Sequence, residues 1–380
     1  MVAKMPVDWR EVPGRYIKDP RLGHRLGRSY PAGELTDQHW DLRWLGTDQD
    51  GLVHNGNPQR NYDLDDRSYK RVFVLGGSTL MGLGVDSNTD TISSVMEHGL
   101  QQHFPAARVA NCSVGSYMSW QQMSYLALEL IGYKPDVIVV MDGHNDFLSP
   151  AWGNKGLNGD WIPNTHRSLD DIAQIVLNAS AKAPLAQFLK RRFLDSRLGR
   201  FSQQCVYKLR AQFSDQISMH NPVWGFMDQD SWSVKEESVQ WYLHNVRSVV
   251  GMARAHNCKV IHLLQPQMWW DERPRTEREE ELVAEVSKRM PPIPKLAPLW
   301  YEMVQPKYDE LRSELHDGDV VWIEDAAKWL NSESATVYHD YNHYNKLGQK
   351  IIGQRIARII RELWSERPES EYGCEDSCAV

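Results

Sequence analysis

A serine, a histidine, an acid and a carboxamide stand at the ends of apolar runs, where they could do acyl-transfer chemistry. Ser78 closes the run Arg71-Val72-Phe73-Val74-Leu75-Gly76-Gly77-Ser78-Thr79. Gly143-His144-Asn145-Asp146 follows a second apolar run, and Asp340 and His343 lie three residues apart just before a helical pattern. A serine hydroxyl attacks a carbonyl only when a base takes its proton. His343 can be that base, returning the proton later to the leaving group. Asp340 can bond the other imidazole nitrogen and support the imidazolium. Donors must then meet the developing oxyanion, and the candidates are the Asn145 amide and the backbone N–H groups of Ser78, Gly115 and Ser116.

Each residue also has a plainer reading. Ser78 and Asp340 are both good helix caps, the latter for a helix starting near Asn342. Asn145 could bond its own loop. His339 is a rival base, although its spacing to Asp340 suits the role less well. What favours the chemical reading is convergence. In open parallel sheets ligands bind at the carboxyl ends of the strands, and the loops after four of five expected strands carry such groups.

Those strands are the apolar runs 71–76, 108–112, 136–142, 258–265 and 319–323, with helices expected at 90–103, 119–132, 235–256, 298–315 and 344–364. Strands alternating with helices, joined by right-handed crossovers, predict a three-layer α/β/α fold around a doubly wound, five-stranded parallel sheet. Residues 71–366 form this domain. Residues 1–70 are polar and turn-rich, an irregular segment wrapping the domain with at most a short hairpin. The interval 147–235 is too long for one crossover and reads as a helical cap insertion, with helices at 168–194 and 200–213. The charged, proline-rich stretch 267–297 reads as a mobile loop. The acidic tail 367–380 is expected to be disordered.

Four short blocks in this order resemble the GDSL-type, or SGNH, hydrolases. Gly76-Gly77-Ser78-Thr79 matches the first block, with Gly77 where many members have Asp. Asn111-Cys112-Ser113-Val114-Gly115-Ser116-Tyr117-Met118-Ser119 resembles the second, Gly143-His144-Asn145-Asp146 the G-x-N-D block, and Asp340-Tyr341-Asn342-His343 the closing D-x-x-H. Lys134-Pro135-Asp136, before the third strand, is a further family-like feature. The likeness spans roughly 70–150 and 235–365. It implies the flavodoxin-like SGNH hydrolase fold, with Ser78 as nucleophile, His343 as base, Asp340 as its orienter and Asn145 as an oxyanion donor. One departure stands out: the second-block glycine aligns with Ser116, and Gly115 comes one residue early.

The 380-residue chain is 41% hydrophobic and 24% charged, enough to build a large core, and its net charge of -7 gives no case for nucleic acid. Cys112, Cys205 and Cys258 stand alone, and Cys374 and Cys378 share the acidic tail, so no disulfide framework is evident and a reduced compartment is the default. No run reaches the ~18 apolar residues of a membrane helix, and no signal segment opens the chain, so a cytoplasmic location is expected unless an export segment has been trimmed. Trp269 and Trp270, just past the fourth strand, are candidates for a substrate platform, with packing under the 271–297 loop as the alternative. Trp120 and Trp152 are weaker candidates. The basic stretch 190–210 reads as a solvated helical face, with an anionic surface as the alternative. The function expected is a serine esterase or deacylase acting on a small-molecule or saccharide ester, with no metal or organic cofactor. An O-acyltransferase using the same residues and a non-catalytic carbohydrate-binding protein are the alternatives. The oligomeric state is not legible.

Overall fold

A computed structural model describes residues 16–19, 21–36, 41–59, 68–151 and 232–365. Residues 152–231, most of the expected 147–235 cap insertion with its expected helices, the basic stretch 190–210 and Trp152, lie outside the described residues, as does the 367–380 tail.

Five parallel strands form the central sheet: β5 (Lys70–Gly76), β6 (Ala107–Asn111), β7 (Val137–Asp142), β8 (Lys259–Leu264) and β9 (Val321–Asp325). Their spatial order is β6-β5-β7-β8-β9. All five are the strands expected from the apolar runs, with ends shifted by up to two residues. Both faces of the sheet are buried, which is why the strands read as continuous apolar runs rather than alternating ones. On β5, Phe73 and Leu75 join one core cluster while Val72 and Val74 join the other; on β7, Ile138 and Val140 oppose Val137, Val139 and Met141. The second cluster is closed by α2 (Ile92–Gln101) and α8 (Lys346–Trp364). These helices touch closely at Gly353, where a Cβ would come within 2.8 Å of the Val95 Cβ. The first cluster is closed by α3 (Ser119–Leu128), α5 (Glu236–Ala255) and α7 (Ile293–Leu315). Two short helices, α1 (Ser78–Met81) and α4 (His144–Ala151), leave the ends of β5 and β7. The chain turns to opposite edges of the sheet after β5, and such a switch point is where a doubly wound sheet opens a crevice.

Two expectations need correction. The stretch 267–297 is not a loop: it holds α6 (Glu277–Arg289), and α7 begins at Ile293, ahead of the expected 298. The start of α6 is a capping box, in which Glu279 N–H donates to Thr276 Oγ1 at 3.3 Å and Thr276 N–H donates to Glu279 Oε2 at 3.1 Å. The charges that suggested a solvated segment are partly buried pairs. Arg273 bridges Asp271 at 2.7 Å and Glu279 at 2.5 Å, with all three side chains at most 5% exposed. Pro294 falls in the first turn of α7, where a missing N–H costs nothing. The segment before β5, expected to hold at most one hairpin, contains two among its described residues: β1 (Tyr16–Asp19) with β2 (Gly23–Leu26), and β3 (Gly33–Thr36) with β4 (Asp41–Trp44). Residues 53–55 cover the exposed edge of β6, through Val53 N–H to Asn111 O and Asn55 Nδ2 to Val109 O.

Candidate active site

Ser78, from the end of β5, and His343, 265 residues later, meet above the sheet: Ser78 Oγ lies 2.7 Å from His343 Nε2. Gly77 is the N-cap of α1 and Ser78 its first residue, so the serine hydroxyl does not act as a cap. On the far side of the ring, His343 Nδ1 lies 2.7 Å from Asp340 Oδ2. A carboxylate only accepts, so Nδ1 carries the proton, and the Nε2 lone pair is left to accept the Ser78 O–H. Asp340 also receives the Asn342 and His343 backbone N–H groups at 2.8 Å each. The cap of α8 is Asn345, whose side chain takes the Leu347 and Gly348 N–H groups. Asp340 is therefore free of the capping role, and Ser78 meets His343 rather than His339.

Burial by itself would raise the Asp340 carboxyl. The adjacent His343 charge, its hydrogen bond and the two backbone N–H groups outweigh burial and hold it down at about 2. The loop is pinned from β8, because Gln265 Nε2 donates to Asn342 Oδ1 at 3.1 Å and Tyr344 O–H donates to Pro266 O at 2.5 Å. From the helix side, Glu279 Oε1 accepts the Val337 N–H at 3.0 Å.

Asn145 lies in the first turn of α4. Its Nδ2 donates one N–H to Tyr117 O at 2.9 Å, leaving the second for a ligand. The same amide lies against Gly77, where an added Cβ would stand 2.6 Å from Nδ2. In this chain the lack of a side chain at Gly77 leaves the carboxamide uncrowded beside Ser78. The turn Val114–Tyr117 closes with Tyr117 N–H to Val114 O at 3.1 Å and is tied to β5 by Val114 N–H to Gly76 O at 3.1 Å. Ser116 sits at φ +65° while Gly115 is not left-handed, the pattern of a type II turn. Ser116 therefore occupies the backbone conformation that a glycine would favour, which explains why the family-like glycine aligns there.

Trp269 and Trp270 do not form a platform at the mouth. They are 8% and 3% exposed and belong to the hydrophobic core. Trp270 stacks on Trp300 and Tyr301 with centroids 5.6 and 4.9 Å away, and its Nε1–H donates to Ala297 O at 3.0 Å. The packing alternative prevails because the segment beneath which they lie is helical and closely packed rather than loose.

Beneath the site lies a buried polar group that the sequence motifs only partly announce. Asp146 accepts the Ser119 N–H and Oγ–H, the latter at 2.5 Å, and Asn245 Nδ2 donates to Ser119 Oγ at 2.8 Å. Burial pushes Asp146 up to about 6, against the pull of the Ser119 bonds. Asp142, at the end of β7, is raised further, first by burial and then by the Asp146 charge. His262 faces it at 3.6 Å and is pushed down to about 3 by burial. His144 is likewise held near 4 by burial, and its Nδ1–H donates to Gln267 Oε1 at 2.9 Å. His24 and Gln265 also bear on the site and carry no local sequence signal, because each acts through a contact distant in the chain, whereas Tyr117 lies inside the second block.

Three solved structures are among those to which the chain is similar. A GDSL-like lipase from Bacteroides thetaiotaomicron VPI-5482 is 11% identical, covering 79% of this chain and 92% of its own with a TM-score of 0.39. An acetyl xylan esterase is 10% identical, covering 76% and 99% with a TM-score of 0.38. An arginine-to-alanine variant of an acetyl-xylooligosaccharide esterase from Geobacillus is 12% identical, covering 78% and 95% with a TM-score of 0.38. No curated protein matches the sequence. The family model for the GDSL-like Lipase/Acylhydrolase family matches residues 74–351, from β5 into α8 and across every block described above. The chain belongs to the GDSL-like lipase/acylhydrolase family and is a serine hydrolase acting on ester bonds.

Proposed function

We propose that this hydrolase cleaves a small acyl group from a sugar or other polar metabolite through an acyl-enzyme on Ser78. The observation that carries the mechanism is the continuous chain Ser78 Oγ–His343 Nε2 and His343 Nδ1–Asp340 Oδ2, both links at 2.7 Å. Ser78 Oγ attacks the ester carbonyl as its proton passes to His343 Nε2. The oxyanion is met by the second N–H of Asn145 and by backbone N–H groups at Ser78 and Ser116. On collapse, the ester C–O bond breaks and the imidazolium returns the proton to the leaving alcohol. Water then repeats the sequence on the acyl-enzyme, releasing the acid and restoring Ser78. Asp340, ionised at every working pH, stabilises the imidazolium in both halves.

A polar substrate is supported by the surface. Among the described residues the exposed large hydrophobics are Ile17, Leu128, Trp241 and Leu299, none of them in the loops that carry Ser78, Ser116, Asn145 or His343. A lipid-binding mouth would need a contiguous apolar rim. Among the described residues, no helix is long and apolar enough to cross a membrane.

The test pairs a fluorophosphonate probe with a substrate panel. Wild type should be labelled and Ser78→Ala should not. Acetylated sugars should be turned over in preference to long-chain p-nitrophenyl esters. A folded wild-type protein that resists the probe would remove Ser78 from the role. A preference for long acyl chains would remove the polar-substrate reading. Partition of the acyl group between water and an added sugar hydroxyl separates hydrolysis from transfer.

A further inference from the structure

We infer that His24, in the hairpin upstream of the family-matched residues, is a positioning residue that holds the Gly115–Ser116 peptide in the orientation the oxyanion hole requires. The inference rests on the acyl-transfer reading above. His24 is 2% exposed, and its Nε2 lies 2.9 Å from Gly115 O. A carbonyl oxygen only accepts, so Nε2 carries the proton and donates. The peptide unit is planar, and its C=O and N–H point in opposite directions. Anchoring the Gly115 carbonyl toward His24 therefore turns the Ser116 N–H to the opposite side of the turn.

That anchor has something to resist. The Gly115–Ser116 peptide is the central one of the Val114–Tyr117 turn, and Ser116 sits at φ +65°, which a non-glycine residue adopts reluctantly. Rotating this one peptide would convert the type II turn into type I, relax Ser116 to negative φ and reverse its N–H. With serine where glycine would be at ease, the backbone alone favours the wrong orientation, and the His24 bond opposes it.

The hairpin is fastened to the neighbourhood of the turn on several sides. Tyr117 O–H donates to His24 O at 2.5 Å, and the two rings meet edge to face with centroids 5.1 Å apart. Gln121 Nε2 donates to Leu22 O at 2.8 Å, and Arg25 pairs with Asp19 at 2.7 Å and with Glu129 just past the end of α3. Tyr117 is also the residue whose carbonyl takes the Asn145 amide, so one anchored turn sets two of the three oxyanion donors, the Ser116 N–H and the Asn145 amide.

The test measures kcat and KM on a p-nitrophenyl ester for full-length His24→Leu and His24→Gln, with thermal unfolding as the folding control. Removing one oxyanion donor costs about 10²–10³ in kcat, and loss of the anchor lets the turn flip only part of the time. His24→Leu should therefore lose roughly ten- to a hundredfold in kcat, with KM within about threefold. His24→Gln, whose amide can still donate, should recover most of the loss. Adding Ser116→Gly to His24→Leu should restore kcat several-fold, because glycine favours the type II turn without the anchor. That rescue distinguishes positioning from a general loss of packing. If His24→Leu does not fold, Tyr117→Phe keeps the ring and removes the hydroxyl holding the His24 backbone, and it should lower kcat. A kcat for active, folded His24→Leu within threefold of wild type would overturn the inference, as would an unchanged kcat in Tyr117→Phe or no rescue by Ser116→Gly. A wild type with no ester turnover would overturn the acyl-transfer reading as well.

Discussion

Gly77→Ala isolates the oxyanion hole from the rest of the site. Gly77 has φ -83°, which any residue can adopt, so the backbone accepts alanine without strain. The new methyl would stand 2.6 Å from Asn145 Nδ2 and 3.4 Å from Tyr117 O. The second distance is an ordinary contact. The first must open to the usual carbon–nitrogen separation, so the amide must retreat by about 1 Å. Nδ2 is the tip of a side chain and can move cheaply, so the stability cost should stay below about 1 kcal/mol. The same movement breaks or lengthens the 2.9 Å bond to Tyr117 O and takes the donor off the oxyanion. A 1 Å misplacement is worth about 10² in rate, and outright loss of one donor about 10²–10³. Gly77→Ala should therefore lose about 10²-fold in kcat on a p-nitrophenyl ester with its melting temperature nearly unchanged. Asn145→Ala should lose about the same, and Gly77→Ala/Asn145→Ala little more than either, because both act through one amide. A kcat within threefold of wild type for Gly77→Ala, or a double mutant whose losses multiply, would show that Asn145 is not the donor.

Three further outcomes are expected. Ser116→Val places a β-branched residue at positive φ and should melt below Ser116→Gly by on the order of 1–2 kcal/mol, as read by thermal denaturation. Asp340 is held near 2 when folded against 3.8 when free, so it contributes on the order of 2 kcal/mol that is present above about pH 4 and is lost as pH falls through 2; Asp340→Asn should remove this dependence in acid denaturation curves. Asp142 and Asp146 act with the opposite sign, because a raised acid binds more protons folded than unfolded and stability then falls as pH rises past the free carboxyl value. Asp142→Asn, which cannot ionise, should be relatively more stable at pH 8 than at pH 5 when compared with wild type, and an unchanged pH profile would show that Asp142 is not the strained acid.

The sequence by itself determined the five strands and their order along the chain, because parallel strands buried on both faces must be continuously apolar. It also made Ser78, Asn145, Asp340 and His343 legible as a set, through their convergence at strand ends and the resemblance of their blocks to the GDSL-type hydrolases, although each alone could be a cap or loop residue. Gly77 and the displaced glycine at Gly115 were visible as departures, but their meaning was not. Only the fold shows that Gly77 clears space for Asn145 and that Ser116 sits left-handed. The stretch 267–297 was misread because Arg273, Asp271 and Glu279 look solvated until their pairing is seen, although the Thr276–Glu279 capping box was there to be found. Trp269 and Trp270 were undecidable in the sequence, where a ring on a core and a ring on a mouth look alike. His24 was invisible for a deeper reason. Its partner is a carbonyl 91 residues away, a backbone atom that every residue possesses, and only the tertiary structure decides which one it meets.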